Sequence, residues 1–464
     1  MVRKQEETFF MILGLDPERI YLWLHRKLSE KYGPVFTVWL GQQHTVVLCG
    51  YEAVKEALID QGEEFSGREL AAIFKTYLKG HGITVSNGER WKQLRRFSVM
   101  TLRNFGMGKK SIESRIQEEA RFLLEEFRNA GEMPIDPTIF VMQAISNIIC
   151  SVVLGNRYAY TDENFQTLLT LTNDNFRIAS SAWGELYNIF PNFVEFLPGP
   201  HRRFHKNIVQ ITSFLTEAIK EHERKLDPTS PCDYIDCFLI KQKQERDKPG
   251  SEFFRENLIA STINLFFAAT ETTSTTISYG LLLLLKYPHI LEKVQKEIDH
   301  VIGHNRCPSM NDRVNMPYTD AVLHEIQRFT DVVPLSLSHC VLQNTKFRGY
   351  TIPKGTVVIP LLSSVLHDKA FFENPETFNP GHFLDENGFF KMNDAFMPFS
   401  AGKRMCLGQS LARMEIFLFI TTLLQNFTLK PAVDTKKIDV QPERGGLLNM
   451  PHSYKVCVSS RKPL

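Results

Sequence analysis

Phe399-Ser400-Ala401-Gly402-Lys403-Arg404-Met405-Cys406-Leu407-Gly408 places one cysteine between two glycines, with an arginine two residues before it. The stretch that follows, Leu411 to Phe427, has the spacing of an amphipathic helix. Glycine lets a backbone pass close to something large and flat. A cysteine at the mouth of a helix is expected to have a lowered pKa, because the helix dipole and free N–H groups favour the thiolate. With no second cysteine or histidine beside it, such a thiolate is a poor zinc ligand. It suits the axial position of a haem iron.

The rest of the chain bounds this reading. Its 464 residues allow a large buried core. A net charge of only +2 argues against a nucleic-acid partner. The eight cysteines are scattered, with only Cys232 and Cys237 close together, which is neither a disulfide framework nor a zinc ribbon and fits a reducing environment. Phe9 to Leu13 is too short to span a bilayer, which takes roughly 20 apolar residues, and the preceding Glu6 and Glu7 argue against a secretory signal.

Alternation around Gly41-Gln42 predicts a hairpin over 33–49, followed by a short helix from Tyr51 to Gln61. Helical periodicity then dominates to about Ser338, with helices expected over 111–130, 137–154, 207–225, 254–287 and 288–302. Lys346 to Pro360 reads as strands around a Pro353-Lys354-Gly355 turn, Phe371 to Ser400 as an irregular loop, and Thr428 to Val458 as short strands. The expected fold is mainly α with a small β-rich part.

Three further constellations stand out. Ala268-Ala269-Thr270-Glu271-Thr272-Thr273 puts an acid beside an alcohol inside an apolar helical stretch. Buried charge is expensive, and threonine weakens a helix by bonding back to its own carbonyls. A local break there would open a groove for oxygen and water. Glu325 and Arg328 are three apart, so they share a helix face. Trp91 and Arg95, four apart, share another.

The pattern F-x-x-G-x-R-x-C-x-G over Phe399–Gly408 resembles the cysteine-ligand loop of cytochromes P450. Ala268–Thr273 resembles the oxygen-activating segment of their central helix, with Ala269 where glycine is usual. E-x-x-R at Glu325–Arg328 and W-x-x-x-R at Trp91–Arg95 also match, and Met100–Gly108 and Pro353–Thr356 look like the vertebrate microsomal second family.

The resemblance implies the P450 fold, with haem b between a long central helix and the cysteine loop. A single catalytic domain would cover 31–464, after a residual segment 1–30 without an anchor. It implies Cys406 as the axial ligand, and Thr272 and Glu271 as carriers of protons. Arg404, Trp91, Arg95, His339 and Lys79 would hold the propionates, with Phe399, Gly402, Gly408 and Ala268 against the haem. Ile73, Phe74, Leu265, Leu335, Leu337 and Leu447 would line the substrate pocket. Glu325, Arg328 and His382, the last standing where arginine is usual, would be structural.

The activity implied is monooxygenation of lipophilic substrates such as xenobiotics, steroids and polyunsaturated fatty acids. Electrons would come from NADPH through NADPH–cytochrome P450 reductase, with cytochrome b5 a possible second donor. Arg96, Arg103, Lys109, Lys110 and Lys403 are the expected docking cations. The implied location is the cytosolic face of the endoplasmic reticulum membrane. Phe190, Phe193, Phe196 and Leu197 read either as a roof that dips into the membrane surface or as a buried connector. The rival reading is a haem-binding sensor or carrier, or a P450-like isomerase, neither of which needs the Glu271-Thr272 pair.

Overall fold

The computed structural model describes residues 27–108, 110–131, 133–444 and 446–461. The short apolar stretch Phe9–Leu13, most of the segment 1–30, and Lys109 lie outside them. Among the described residues, the helices of seven residues or more are α1 (Ala72–Leu78), α2 (Gly88–Asn104), α3 (Lys110–Asn129), α4 (Pro137–Val153), α5 (Glu163–Ala179), α6 (Ala182–Ile189), α7 (Pro200–Lys225), α8 (Tyr234–Gln244), α9 (Arg255–Lys286), α10 (Pro288–Val301), α11 (Pro317–Thr330) and α12 (Gln409–Asn426). Side-chain caps start several of them where an acid or alcohol stands just ahead. Asp136, Asp162, Ser181 and Asp233 each accept from a backbone N–H of the first turn.

Helix α9 is the spine. Its apolar residues run all the way round, and nearly all of them are buried. It packs on α4, α11 and α12. The expected break at Thr270–Thr273 does not occur: the helix is continuous through it. The back-bonding that motivated the expectation is present, with Thr272 Oγ1 donating to the Ala268 carbonyl at 2.7 Å and Thr276 Oγ1 to that of Thr272 at 2.8 Å. Helix α12 is also not amphipathic. From Met414 to Asn426 every residue is buried, because α3, α9 and α10 all pack against it.

Strands β1 (Val35–Leu40) and β2 (Gln43–Leu48) form the expected hairpin. They join β3 (Gly67–Arg68), β4 (His339–Cys340) and a later strand, Val357–Pro360, in one sheet. That sheet carries Arg68 and His339 side by side, since β3 and β4 pair antiparallel with Arg68 opposite His339. Between β4 and Val357–Pro360, the hairpin of β5 (Thr345–Phe347) and β6 (Tyr350–Ile352) turns at Arg348-Gly349, both with positive φ. That is the geometry of the tight hairpin turn whose twist matches the strands. The Pro353–Gly355 turn instead leads out of this hairpin into the larger sheet.

The segment after α6 is not a buried connector. Val194 is fully buried and fastens it to the core, while Phe193 and Phe196 are 66% and 82% exposed. No helix among the described residues is long and apolar enough to cross a membrane.

Candidate active site

Cys406 sits deep in the fold, yet its residue has accessible surface. The surface opens inward, onto a cavity of about 880 Å³, near the upper end of the range of cofactor and ligand pockets. None of the other seven cysteines lines it. Ala268 shows the same signature: it is exposed, and Thr272 half-buried, in the middle of an otherwise buried helix. Both face the cavity.

The loop holds the thiol with its own backbone. The Cys406 N–H donates to the Phe399 carbonyl at 3.0 Å. Burial pushes the Cys406 thiol up, against the lowering expected at a helix mouth. The Gly408 and Gln409 N–H groups and the Arg95 charge oppose the rise without cancelling it. A cation held at the sulfur would supply the missing compensation.

Beside the loop, three guanidinium groups gather with no carboxylate paired to any of them among the described residues. Arg404 lies over the Trp91 ring, 3.9 Å from its centre. It donates to the Ser66 carbonyl at 2.7 Å and the Ser86 carbonyl at 2.8 Å. Arg95 donates to the Met405 carbonyl at 2.6 Å. Arg68 donates to the Leu337 carbonyl. Burial, together with the neighbouring guanidiniums, lowers Arg404 to about 8, and burial with Arg95 lowers Arg68 to about 9. Trp91 Nε1, Arg404 Nη1 and Arg68 Nε are buried donors without a partner, and all three residues line the cavity. Orphaned buried donors cost about 1–3 kcal/mol each, so this corner is built for an anion. Arg68 escaped the sequence reading because its partner Leu337 is 269 residues away.

Several expected site residues stand elsewhere. His339 does not line the cavity. Its Nδ1 faces the Phe65 carbonyl at 2.6 Å, and its Nε2 is buried without a partner. Burial and the Arg68 and Arg404 charges hold it well below the usual imidazole range, so the neutral ring offers a lone pair at Nε2 rather than a donor. Lys79 lines the cavity, exposed at the end of α1 in the left-handed region. Phe399 and Gly408 line it too, but Gly402 does not. Gly402 has a φ of 67°, and a Cβ there would lie 1.7 Å from the Leu58 carbonyl oxygen. Its need for glycine comes from this close approach to the short helical segment Glu56–Asp60.

Glu271 is off the cavity wall as well. It precedes Thr272 by one residue, which is about 100° round the helix. It faces α5, with Oε1 3.2 Å from Asn173 Nδ2, and burial pushes it up to about 7. Of the expected pocket residues, Phe74, Leu265, Leu337 and Leu447 line the cavity. Ile73 is fully buried in the main core. Leu335 packs against Leu361 and its neighbours. The positive φ at Ser336 breaks the extended alternation, so Leu337 reaches the cavity and Leu335 does not.

Glu325, Arg328 and His382 meet away from the wall. Arg328 grips the carboxylate of Glu325 through Nε and Nη2, both at 2.7 Å. Its Nη1 donates to the Leu366 and Pro375 carbonyls, each at 2.9 Å. His382 Nδ1 lies 3.1 Å from Glu325 Oε2, and the Asn379 N–H donates to Oε1 at 2.8 Å. Both charged side chains are wholly buried.

Comparison with known proteins gives the same direction. The family model described as Cytochrome P450 matches residues 7–458. Cytochrome P450 2C8 of Homo sapiens is 56% identical over 429 residues, 92% of this chain and 88% of its own length. Cytochrome P450 2C23 of Rattus norvegicus is 54% identical over 435 residues, covering 94% and 88%. Cytochrome P450 2G1 of Oryctolagus cuniculus is 52% identical over 436 residues, with the same coverage. A match of this length and identity leaves no room for a shared fold alone: the chain belongs to the cytochrome P450 family and is a reductase-dependent haem-thiolate monooxygenase.

Proposed function

We propose that the enzyme oxidises lipophilic small molecules, among them xenobiotics, steroids and polyunsaturated fatty acids. Its electron donor is NADPH–cytochrome P450 reductase, with cytochrome b5 as a second donor. The domain is a single catalytic unit over 31–464. The observation that carries the site is that Cys406 alone among the cysteines faces the cavity that also exposes Ala268 and Thr272.

Haem b fits this site. Cys406 would hold its iron through the thiolate, and the cationic corner of Arg68, Arg95, Arg404 and Trp91 would receive the propionates. His339 adds a propionate bond only if the arriving anion charges its ring. When bound, the haem supplies the redox chemistry that activates oxygen and transfers one atom to the substrate. The chain's own residues position and protect. Phe74, Leu265, Leu337 and Leu447 give the substrate an apolar wall and exclude water. Thr272, with its hydrogen already donated to the Ala268 carbonyl, offers its oxygen as an acceptor for an incoming proton. The Ala269 methyl narrows the same wall.

The exposed Arg96, Arg103, Lys110 and Lys403 form the docking face for an acidic flavoprotein. Lys403 already pairs with Glu63, so Arg96, Arg103 and Lys110 carry most of the attraction. The test is a reductase-and-NADPH assay across candidate substrates. Product should appear, with reduction rates that fall as salt rises. Thr272→Ala should keep haem and substrate binding while product per NADPH falls several-fold and hydrogen peroxide rises. An unchanged ratio would remove Thr272 from the proton route.

We place the enzyme on the cytosolic face of the endoplasmic reticulum membrane, touching it through Phe190, Phe193 and Phe196. Burying one phenylalanine contributes about 1.5–3 kcal/mol. Phe193→Ser with Phe196→Ser should therefore weaken liposome binding at least about tenfold and leave the haem spectrum intact. Binding unaffected by the double change would assign the contact to another surface.

A further inference from the structure

Away from the cavity, one group of side chains has the composition of a metal site. His222 lies in the last turn of α7, Asp233 caps α8, and Asp236 stands in the first turn of α8. One ligand atom from each lies within 4.8 Å of the others. The linking residues 227–232 are exposed, yet Asp233 is only 2% and Asp236 only 8% exposed.

Each of the three is held from behind. His222 Nδ1 is 2.7 Å from the Ala218 carbonyl, which only accepts, so Nδ1 carries a hydrogen. The Asp236 N–H donates to Asp233 Oδ1 at 2.9 Å, and the Cys232 N–H donates to Asp236 Oδ2 at 3.0 Å. Gly155, with a φ of 71°, lays its backbone against Asp233 Oδ2: a Cβ there would meet that oxygen at 2.5 Å. Outer contacts of this kind fix the direction of metal-binding side chains. His222 Nε2 is thereby aimed at Asp233 Oδ2, 2.7 Å away. A lone pair and a carboxylate oxygen repel at that distance, so a positive charge belongs between them, either a proton or a metal cation.

Charge balance favours the metal. With a proton on Nε2, one imidazolium faces two carboxylates that are both buried. No lysine or arginine among the described residues pairs with either carboxylate. One buried negative charge is then left uncompensated, which is costly. A divalent cation with a neutral imidazole and both carboxylates makes the group neutral. One nitrogen with two oxygens suits zinc, whereas calcium and magnesium take oxygen alone. The His222 side chain is 12% exposed, so solvent reaches the site and water can complete a tetrahedron. The Cys232 thiol is turned away, toward the Ser230 carbonyl at 3.5 Å.

We propose that His222, Asp233 and Asp236 bind a zinc ion that clips the end of α7 to the start of α8. Zinc takes the place of the Nε2 proton, which leaves to solvent. None of the three residues lines the cavity, but α7 does so through Ile208, Val209, Thr212 and Ser213. The clip therefore braces one wall of the cavity from outside.

The test uses the purified haem-loaded enzyme, stripped of loose metal with a chelator and then given zinc chloride alone. After free zinc is removed, metal analysis should find about one zinc per haem iron. Bound zinc should also slow trypsin cleavage between Glu223 and Cys232 several-fold. Asp236→Asn still accepts from the Cys232 N–H and should fold. It should hold zinc at least about 100-fold more weakly, beyond the 10–100-fold loss of an outer partner, and lose the protection from trypsin. His222→Gln should behave in the same way; if it does not fold, Asp236→Asn decides. An unchanged reduced carbon-monoxide spectrum in each variant separates loss of zinc from loss of the fold. Zinc retention and trypsin protection equal to the parent's in Asp236→Asn overturn the proposal. So does a parent enzyme that retains no zinc, which leaves a proton between His222 and Asp233.

Discussion

Cys406→Ser should abolish the red-shifted Soret band of the reduced carbon-monoxide complex and take monooxygenase activity to background. A serine hydroxyl does not ionise under these conditions, so the strong anionic ligand is lost. The Gly408 and Gln409 N–H groups and the Arg95 guanidinium, which favour a charge at Sγ, are left facing a neutral group. The instructive control is Cys340→Ser. Cys340 sits near enough to feel the Arg404 and Arg68 charges, yet its side chain belongs to β4 and does not line the cavity. Its loss should leave the band in place. Should Cys406→Ser keep the band while Cys340→Ser removes it, the ligand is misassigned.

The largest effect on stability is expected at Arg328. It is the bulkiest fully buried side chain of the described residues, and it satisfies two carboxylate oxygens and several backbone carbonyls at once. Arg328→Ala strips those partners and leaves the Glu325 carboxylate buried with only His382 and the Asn379 N–H beside it. Removing one member of a buried ion pair costs about 3–5 kcal/mol, a large share of a typical stability of about 5–15 kcal/mol. Haem-loaded yield should collapse, and any protein recovered should unfold at much lower urea. Arg328→Lys should recover little, because a single ammonium cannot replace a planar fork that reaches both carboxylate oxygens and the backbone carbonyls of Leu366, Pro375 and Thr377. A stability within about 1 kcal/mol of the parent, inside the range of ordinary surface changes, would show that the cluster does not hold this part of the core together.

The same residues show how legible the protein was. Glu325 and Arg328 could be placed on one helix face from their spacing, but an exposed pair and a wholly buried one share that spacing. Only the arrival of the 366–377 backbone around the guanidinium distinguishes them. Glu271 and Thr272 are neighbours in the chain, and the sequence invites treating them as a pair. The unbroken helix separates their directions and sends the acid toward α5 and the alcohol toward the cavity. Gly402 reads in the sequence as room for a large flat group, whereas in the structure the atom a Cβ there would meet is the Leu58 carbonyl oxygen.

What the sequence by itself determined was local and periodic. It specified where helices start and run, the β1–β2 hairpin, the cysteine loop and the family to which that loop belongs. These follow from steric limits, caps and the 3.6-residue repeat, all of which act within a few residues. What only the tertiary structure decided was which side chains share one space. Arg68 joins Arg404, and Cys406 comes to share one cavity with Ala268 and Thr272, through the packing of segments far apart in the chain. The burial that sets their charge states is a property of the assembled helices, so no short stretch of sequence carries it.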